Sequence, residues 1–195
     1  METPATPEKE APEKEDPLNQ RVSIIVAIAA TFLSICNVKD SNIVQAMQAA
    51  QAEMINSWSY FQAKSTKEQI AEAAVVELEA FRSLAATPEA GERIDALMAA
   101  RKADITRYEA EKKEIQEKAH DAEKLYAALN VHDDQFDMSE ASLALSIALM
   151  GITALTRQKW LLALGSAFAA FGVFMGVCGF LGWNVHPDFI ANLLS

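Results

Sequence analysis

The sequence predicts an all-α membrane protein, with three transmembrane helices and a long antiparallel helical hairpin, a coiled coil, between spans 1 and 2. Three observations lead there. First, 51% of the 195 residues are apolar, yet the mean hydropathy is near zero, so apolar residues are gathered into runs rather than blended. Second, the uncharged runs lie toward the two ends, with charged, alanine-rich sequence between them. Third, proline and glycine are scarce, at 6 and 7 residues, and no stretch alternates apolar with polar, so helix is the default throughout.

Residues 1–20, METPATPEKEAPEKEDPLNQ, contain a near-repeat of P-E-K-E and too little apolar surface to bury a core, which predicts a disordered acidic tail. Residues 21–39 form the first predicted span. Val22 to Val38 carries no charge and is bounded by Arg21 and Lys39; at 1.5 Å per residue it covers roughly 25 Å. No A-x-A cleavage site follows it, so the run reads as an uncleaved anchor rather than a secretory signal.

Residues 40–137 are the predicted extramembrane hairpin, with its tip near 87–88. No proline or glycine occurs between Lys39 and Pro88. The tip is then marked by Thr87 as N-cap, Pro88 at the first helical position and acids in the first turn. The outgoing arm, 40–86, and the returning arm, 88–129, are of nearly equal length. On the returning arm Ile105, Tyr108, Ile115, Ala119, Ala122, Tyr126 and Leu129 fall on heptad a and d positions, with Lys112 the exception. On the outgoing arm Ile43, Met47, Ala50, Met54, Trp58 and Phe61 fit with one stutter, and Ile70, Ala74, Leu78 and Phe81 resume in a shifted phase; a break near Ser65-Thr66 fits equally well.

The second span is predicted over 138–156, after a turn at Asn130 to Asp134, with Asp137 as N-cap and Glu140 completing a capping box. The third covers 159–183, bracketed by Trp160 and Trp183 as interfacial aromatics, and 184–195 reads as a short interfacial tail containing His186. Arg21, Arg157 and Lys159 fall on one side of three spans. This places the N-terminus in the cytoplasm and the hairpin outside, in a bacterial inner membrane. Cys36 and Cys178 are then near the outer ends of their spans, packed as small apolar residues.

Small residues recur at helical spacing on each span. Gly165, Ala169, Gly172, Gly176 and Gly179 mark the third, Ser23, Ala27, Ala30 and Ser34 the first, and Ala141, Ala144, Ala148 and Gly151 the second. Close backbone approach drives association in lipid, so these stripes predict either a compact three-helix cluster or a seam between copies.

The net charge of −10 argues against a nucleic-acid partner. The spans read as free of ionisable side chains, which disfavours a coupled transporter. No P-loop, nucleophile elbow or zinc-protease motif is present, and no cofactor is implied. Glu117-x-x-His120 is half of a carboxylate-bridged di-metal motif without its second half. His132, Asp133, Asp134 and Asp137 cluster near the membrane with ligand types for a cation, although acidic loop residues more often cap or face water.

The densest cluster of distinctive side chains is Trp58, Tyr60, Phe61, Gln62, Lys64 and Ser65. A register set by a tip near Thr87 puts Trp58 and Phe61 among Ile115, Tyr108 and their neighbours, and Lys64 near Glu109, Glu111 or Glu114. Tyr60, Gln62 and Ser65 are left for a partner or for water. The block W-S-Y-F-Q-A-K-S, with Phe136-Asp137 and Ala154-Leu155-Thr156-Arg157, resembles a bacterial family of three-span proteins, domain-of-unknown-function family 4337, whose block reads W-x-Y-Y-Q-A-K-S. Phe61 stands where that pattern has a second tyrosine. The resemblance implies the three-span architecture and supplies no catalytic residue.

The functional expectation is therefore a non-enzymatic, membrane-anchored coiled-coil protein with a structural or interaction role, self-associating through its small-residue spans. The alternative is a channel or transporter subunit formed by oligomerisation.

Overall fold

The computed structural model describes residues 17–183 and 185. The expectations for the rest of the acidic tail and for His186 and the residues after it lie outside them. The described residues form three α-helices and no strands: α1 Pro17–Ser83, α2 Pro88–Thr156 and α3 Lys159–Leu181. All three are long and apolar enough, over part of their length, to cross a membrane.

Proline at the first position starts both α1 and α2, where its missing N–H costs no helical hydrogen bond. At α2 the sequence signal is met in full: the Ala90 N–H donates to Thr87 Oγ1 at 3.3 Å, and the Gly91 N–H to the Thr87 carbonyl at 3.2 Å. Gly182, at φ 67°, ends α3 in the left-handed conformation, and the Trp183 N–H closes back onto the Cys178 carbonyl. Between α2 and α3 the turn places Arg157 at φ 56°, a position that costs a residue with a Cβ about 1–2 kcal/mol.

The alternative left open at Ser65-Thr66 is resolved in favour of one continuous helix. The expected boundary before the second span is absent: α2 runs through Asn130 to Asp134 and past Asp137, so Asp137 caps nothing. The polar residues there weaken helix propensity by only tenths of a kcal/mol each. Gln135, Phe136, Met138 and Ser139 are all buried, and their packing carries the helix through.

The helices divide between two compact units, one of Ile43–Asn130, the other of the described residues up to Asn42 and from Val131 onward. In the Ile43–Asn130 unit, Ile43, Ala50, Ser57 and Ala71 are buried at multiples of seven residues, and so are Met47, Glu68 and Val75. The partners on α2 are Ala119 and Ala122, both buried, with Ile105, Tyr108, Lys112, Ile115, Tyr126 and Leu129 half-buried. Ion pairs cross between the helices: Lys64 with Glu111 and Glu68 with Lys112 lie side by side, and further along α1 Glu79 meets Lys102 and Arg82 meets Asp95, at falling positions on α2.

The shifted phase expected for the outgoing arm is met only in part: Ala74 and Leu78 are half-buried. Ile70 and Phe81 are 64% and 60% exposed. The original spacing continues instead through Lys64, Glu68, Ala71 and Val75, because Glu68 enters the stripe paired with Lys112. The one irregularity in the α2 heptads is thus answered by one on α1.

In the other unit, Val22, Ala29 and Cys36 on α1 and Ser139, Leu143, Ser146, Met150 and Thr153 on α2 form the buried stripes. Glycines on α3 meet them closely. A Cβ at Gly176 would lie 2.6 Å from the Phe32 ring, 2.8 Å from Ser139 Oγ and 3.0 Å from Cys36 Sγ; one at Gly172 would lie 2.8 Å from Leu143. Ser146 Oγ, fully buried, donates to the Gly165 carbonyl at 2.7 Å. The stripes expected on the other two spans face outward: Ser23, Ala27, Ala30 and Ser34, like Ala141, Ala144, Ala148 and Gly151, are exposed. The serines among them on α1 are satisfied by carbonyls four residues earlier, so exposure leaves no orphaned hydroxyl.

Gly176→Ala should cost on the order of 1–3 kcal/mol through overpacking. Gly151→Ala, with nothing within 4 Å of the new methyl, should be neutral or gain up to about 1 kcal/mol. Thermal unfolding of the full chain in detergent, followed by circular dichroism, checks both. Glu68→Leu, which strands the Lys112 ammonium in the seam, should cost on the order of 2 kcal/mol; adding Lys112→Leu should restore most of it. A double variant no more stable than the single would refute the pairing.

Candidate functional site

The Trp58 to Ser65 block lies on the α1 segment of the Ile43–Asn130 unit, and its large side chains turn toward α2. Trp58 Nε1 donates to Glu123 Oε1 at 3.1 Å, while His120 Nδ1 meets Glu123 Oε2 at 2.9 Å. The Trp58 ring stands edge-on to both Phe61 and His120, with centroids 5.5 and 5.7 Å away. One carboxylate therefore holds an indole and an imidazole together. These two contacts, His120 first, keep the Glu123 carboxyl below its ordinary range.

Three residues on, the chemistry is repeated with cations. Lys64 Nζ pairs with Glu111 at 2.5 Å and sits 5.4 Å above the Tyr108 ring, whose centroid also lies 5.0 Å from the Arg107 guanidinium. Lys112, paired with Glu68, lies 5.8 Å above Phe61. The Lys64 contact holds the Glu111 carboxyl below its ordinary range.

Lys64 meets one of its expected partners, and the polar and ring contacts of Trp58 fall at His120 and Glu123, beyond Ile115 and Tyr108 on α2. Helical side chains lean toward their own N-terminus, so in a pair running in opposite directions the Trp58 ring is carried toward higher α2 numbers, to His120 and Glu123. Of the three residues left over, Tyr60 is 64% exposed, Gln62 is exposed and Ser65 is half-buried. The Glu117-x-x-His120 motif does not converge, because His120 is turned to Glu123. Among the described residues no group of three or more His, Cys, Asp or Glu side chains is placed to hold a metal ion.

On α3, Gly165, Gly172, Gly176 and Gly179 are buried against α1 and α2, with Gly179 facing the Phe136 ring. Ala169 is different: half-buried, it lines a groove open to the outside. Cys36 and Cys178 are both free and fully buried, and Cys36 Sγ lies 3.6 Å from Ser139 Oγ.

The acidic cluster comes together differently from the expected set of His132, Asp133, Asp134 and Asp137. His132 turns to Gln135 Oε1 at 3.2 Å, while Gln135 Nε2 donates to the carbonyls of Trp183 and Val185 at 2.6 and 2.8 Å, tying down the chain just past α3. Asp133 instead meets Asp40 of α1 in a carboxyl–carboxylate hydrogen bond, with Asp137 and Glu140 adding negative charge nearby. The Asn37 amide, oriented with its nitrogen toward α2, donates to both oxygens of Glu140. Asp40, Asn37 and Gln135 were not singled out from sequence, and Glu140 was read only as the second half of a capping box. Glu140, inside the 138–156 range, is also an exception to spans free of ionisable groups. The available signal was spacing: Asp133 and Glu140 continue the seven-residue series of Lys112, Ala119 and Tyr126.

Burial, then the charges of Asp137 and Asp40, pushes the Asp133 carboxyl up to about 6. Asp40 and Asp137 are also raised, with burial the leading cause. One Asp40 oxygen is fully shielded and lacks a donor, so the proton on Asp133 is what makes the pair tolerable. A folded-state value above the unfolded one means the native state holds the proton more tightly. The stabilisation is complete below about pH 4 and is lost as pH rises through about 6. For a partly solvated group the effect is on the order of 1 kcal/mol. The thermal midpoint of the wild type should fall between pH 4 and 7, and Asp133→Asn should flatten that slope. An unchanged slope in the variant would refute the shared proton.

A comparison with curated proteins and another with solved structures each give no match. A comparison with protein families matches one model, described as a domain of unknown function, DUF4337, over residues 18–182. That range takes in α1, α2 and α3 almost entirely, including the aromatic block, the acidic cluster and the α3 glycines. The chain therefore belongs to the DUF4337 family.

Proposed function

We propose that this protein is a membrane-anchored coiled-coil scaffold with a structural or interaction role, held in a bacterial inner membrane by three spans. The observation that carries this reading is the make-up of the Ile43–Asn130 unit. Its two helical segments bury only a narrow seven-residue stripe, so most of their surface is left charged and open to partners. An antiparallel coiled-coil hairpin accounts for the fall in α2 position along the cross-helix ion pairs, from Glu111 and Lys112 to Lys102 and Asp95. The side chains of the Trp58 block bind across the seam, which supports a cross-linking role for them rather than a chemical one.

Membrane insertion is supported by the apolar runs of all three helices and by Trp160 and Trp183, exposed at the two ends of α3. Arg21, Arg157 and Lys159 favour a cytoplasmic N-terminus with the hairpin outside. Self-association is supported by the outward-facing small residues of α1 and α2, which permit close helix approach; the α3 glycines are already occupied within the chain.

Reporters active on only one side of the membrane, fused to the C-terminus and inserted at Pro88, should both signal from outside. Cytoplasmic signals from both would overturn the topology. Chemical crosslinking and sizing in mild detergent should give an oligomer, and a monomer at all working concentrations would remove self-association.

A further inference from the structure

We infer that the unit containing α3 binds an anionic phospholipid, its phosphate at Arg21 and Lys159 and one acyl chain in the groove between α1 and α3. This rests on the membrane-anchored reading above. The groove, of about 490 Å³, is lined by Ile25, Ile28 and Ala29 from α1 and by Ala169, Ala170 and Val173, among others, from α3. Every one of these side chains is apolar, which suits the groove to a hydrocarbon chain.

The two helices run in the same direction here. Residues 25–29 face 169–177, and further along Phe32 reaches Phe180 and Gly176. Arg21 and Lys159 therefore close the same end of the groove. Arg21 precedes Ile25 by one turn, about 6 Å, and Lys159 precedes Ala169 by ten residues, about 15 Å. Both are exposed, and Trp160, 64% exposed, stands beside Lys159 at headgroup depth.

Charge decides which ligand fits. The other end of the unit carries Asp40, Asp133, Asp137 and Glu140, which repel phosphate, so a phospholipid is oriented with its head at the basic end. A zwitterionic lipid brings its own cation against Arg21 and Lys159. A second copy docked in parallel through the same groove brings those two cations against their equivalents. An anionic headgroup gains on both counts, at about 1 kcal/mol per basic residue.

The test uses the full chain in vesicles of equal parts phosphatidylglycerol and phosphatidylcholine, gently extracted, with retained lipids counted by native mass spectrometry. The wild type should retain phosphatidylglycerol over phosphatidylcholine by about fivefold or more. The pair Arg21→Gln and Lys159→Gln should bring that ratio to the bulk value. Ala170→Phe, which fills the groove, should do the same, with Ile28→Trp from the opposite wall replacing it should it lose helicity. Leu145→Phe, at an exposed position of α2 outside the small-residue stripe, should change nothing. Equal retention of the two lipids by the wild type overturns the inference. So does a groove variant as harmless as Leu145→Phe, which would reduce the effect to unspecific headgroup attraction. A disulfide-linked dimer through Ala170→Cys that excludes lipid would assign the groove to a second copy. Release of the wild type from vesicles by alkaline carbonate would instead defeat the membrane reading itself.

Discussion

The absence of proline and glycine from Leu18 to Ser83 leaves nothing to interrupt α1, and its interior backbone hydrogen bonds can all be made within the helix. What remains to be settled is which narrow stripe of such a helix is covered, and in each unit the answer is a spacing of seven. Seven residues fall about 20° short of two full turns, so a stripe of this kind stays buried only if the helices wind gently about each other. The rest of the structure depends on what can occupy those positions.

In the Ile43–Asn130 unit the occupants are small or charged as often as they are large: Ala50, Ser57, Ala71, Ala119 and Ala122 with Glu68 and Lys112. Small residues let the helices come close, but they bury little apolar area, so the hydrophobic term is modest. An ion pair within the stripe adds little net stability, yet it penalises any slipped register that would leave a lone charge there. Alanine is interchangeable between registers, whereas Glu68 opposite Lys112 is not. The other unit solves the same problem with glycine, bringing α3 against Phe32, Ser139 and Leu143 where a methyl group does not fit. Helices apolar enough to cross a membrane would need close contact of this kind in lipid, where burying one apolar surface against another gains nothing.

Much of this was legible. Thr87 and Pro88 identified the start of α2, because a cap and a fixed φ act locally. The α3 glycines announced a tight contact, and the lysine of the aromatic block found a carboxylate within reach. What was not legible depended on tertiary context. Asp137 with Glu140 has the spacing of a capping box, but a cap forms only where the preceding chain leaves the helix, and buried Phe136 holds it in. Ile70 and Phe81 drew the apolar pattern into a false phase, since apolarity was weighed without the chance that Glu68 would be buried with a partner. Asp40 and Asp133 are 93 positions apart in sequence, and no local pattern brings two carboxyls together against their repulsion.

The aromatic block also constrains any partner. Trp58, Phe61 and Lys64 follow one another at helical spacing and are committed to α2. Tyr60 and Gln62, the exposed members between them, are two positions apart, which sets them about 200° apart around the helix. A single flat surface cannot cover both. Gln62 and Ser65, three apart, share a side that Tyr60 does not. A partner reading this block must therefore choose between the tyrosine side and the glutamine side. Tyr60, with more than half of its surface exposed and aromatic area to offer, is the stronger anchor of the two.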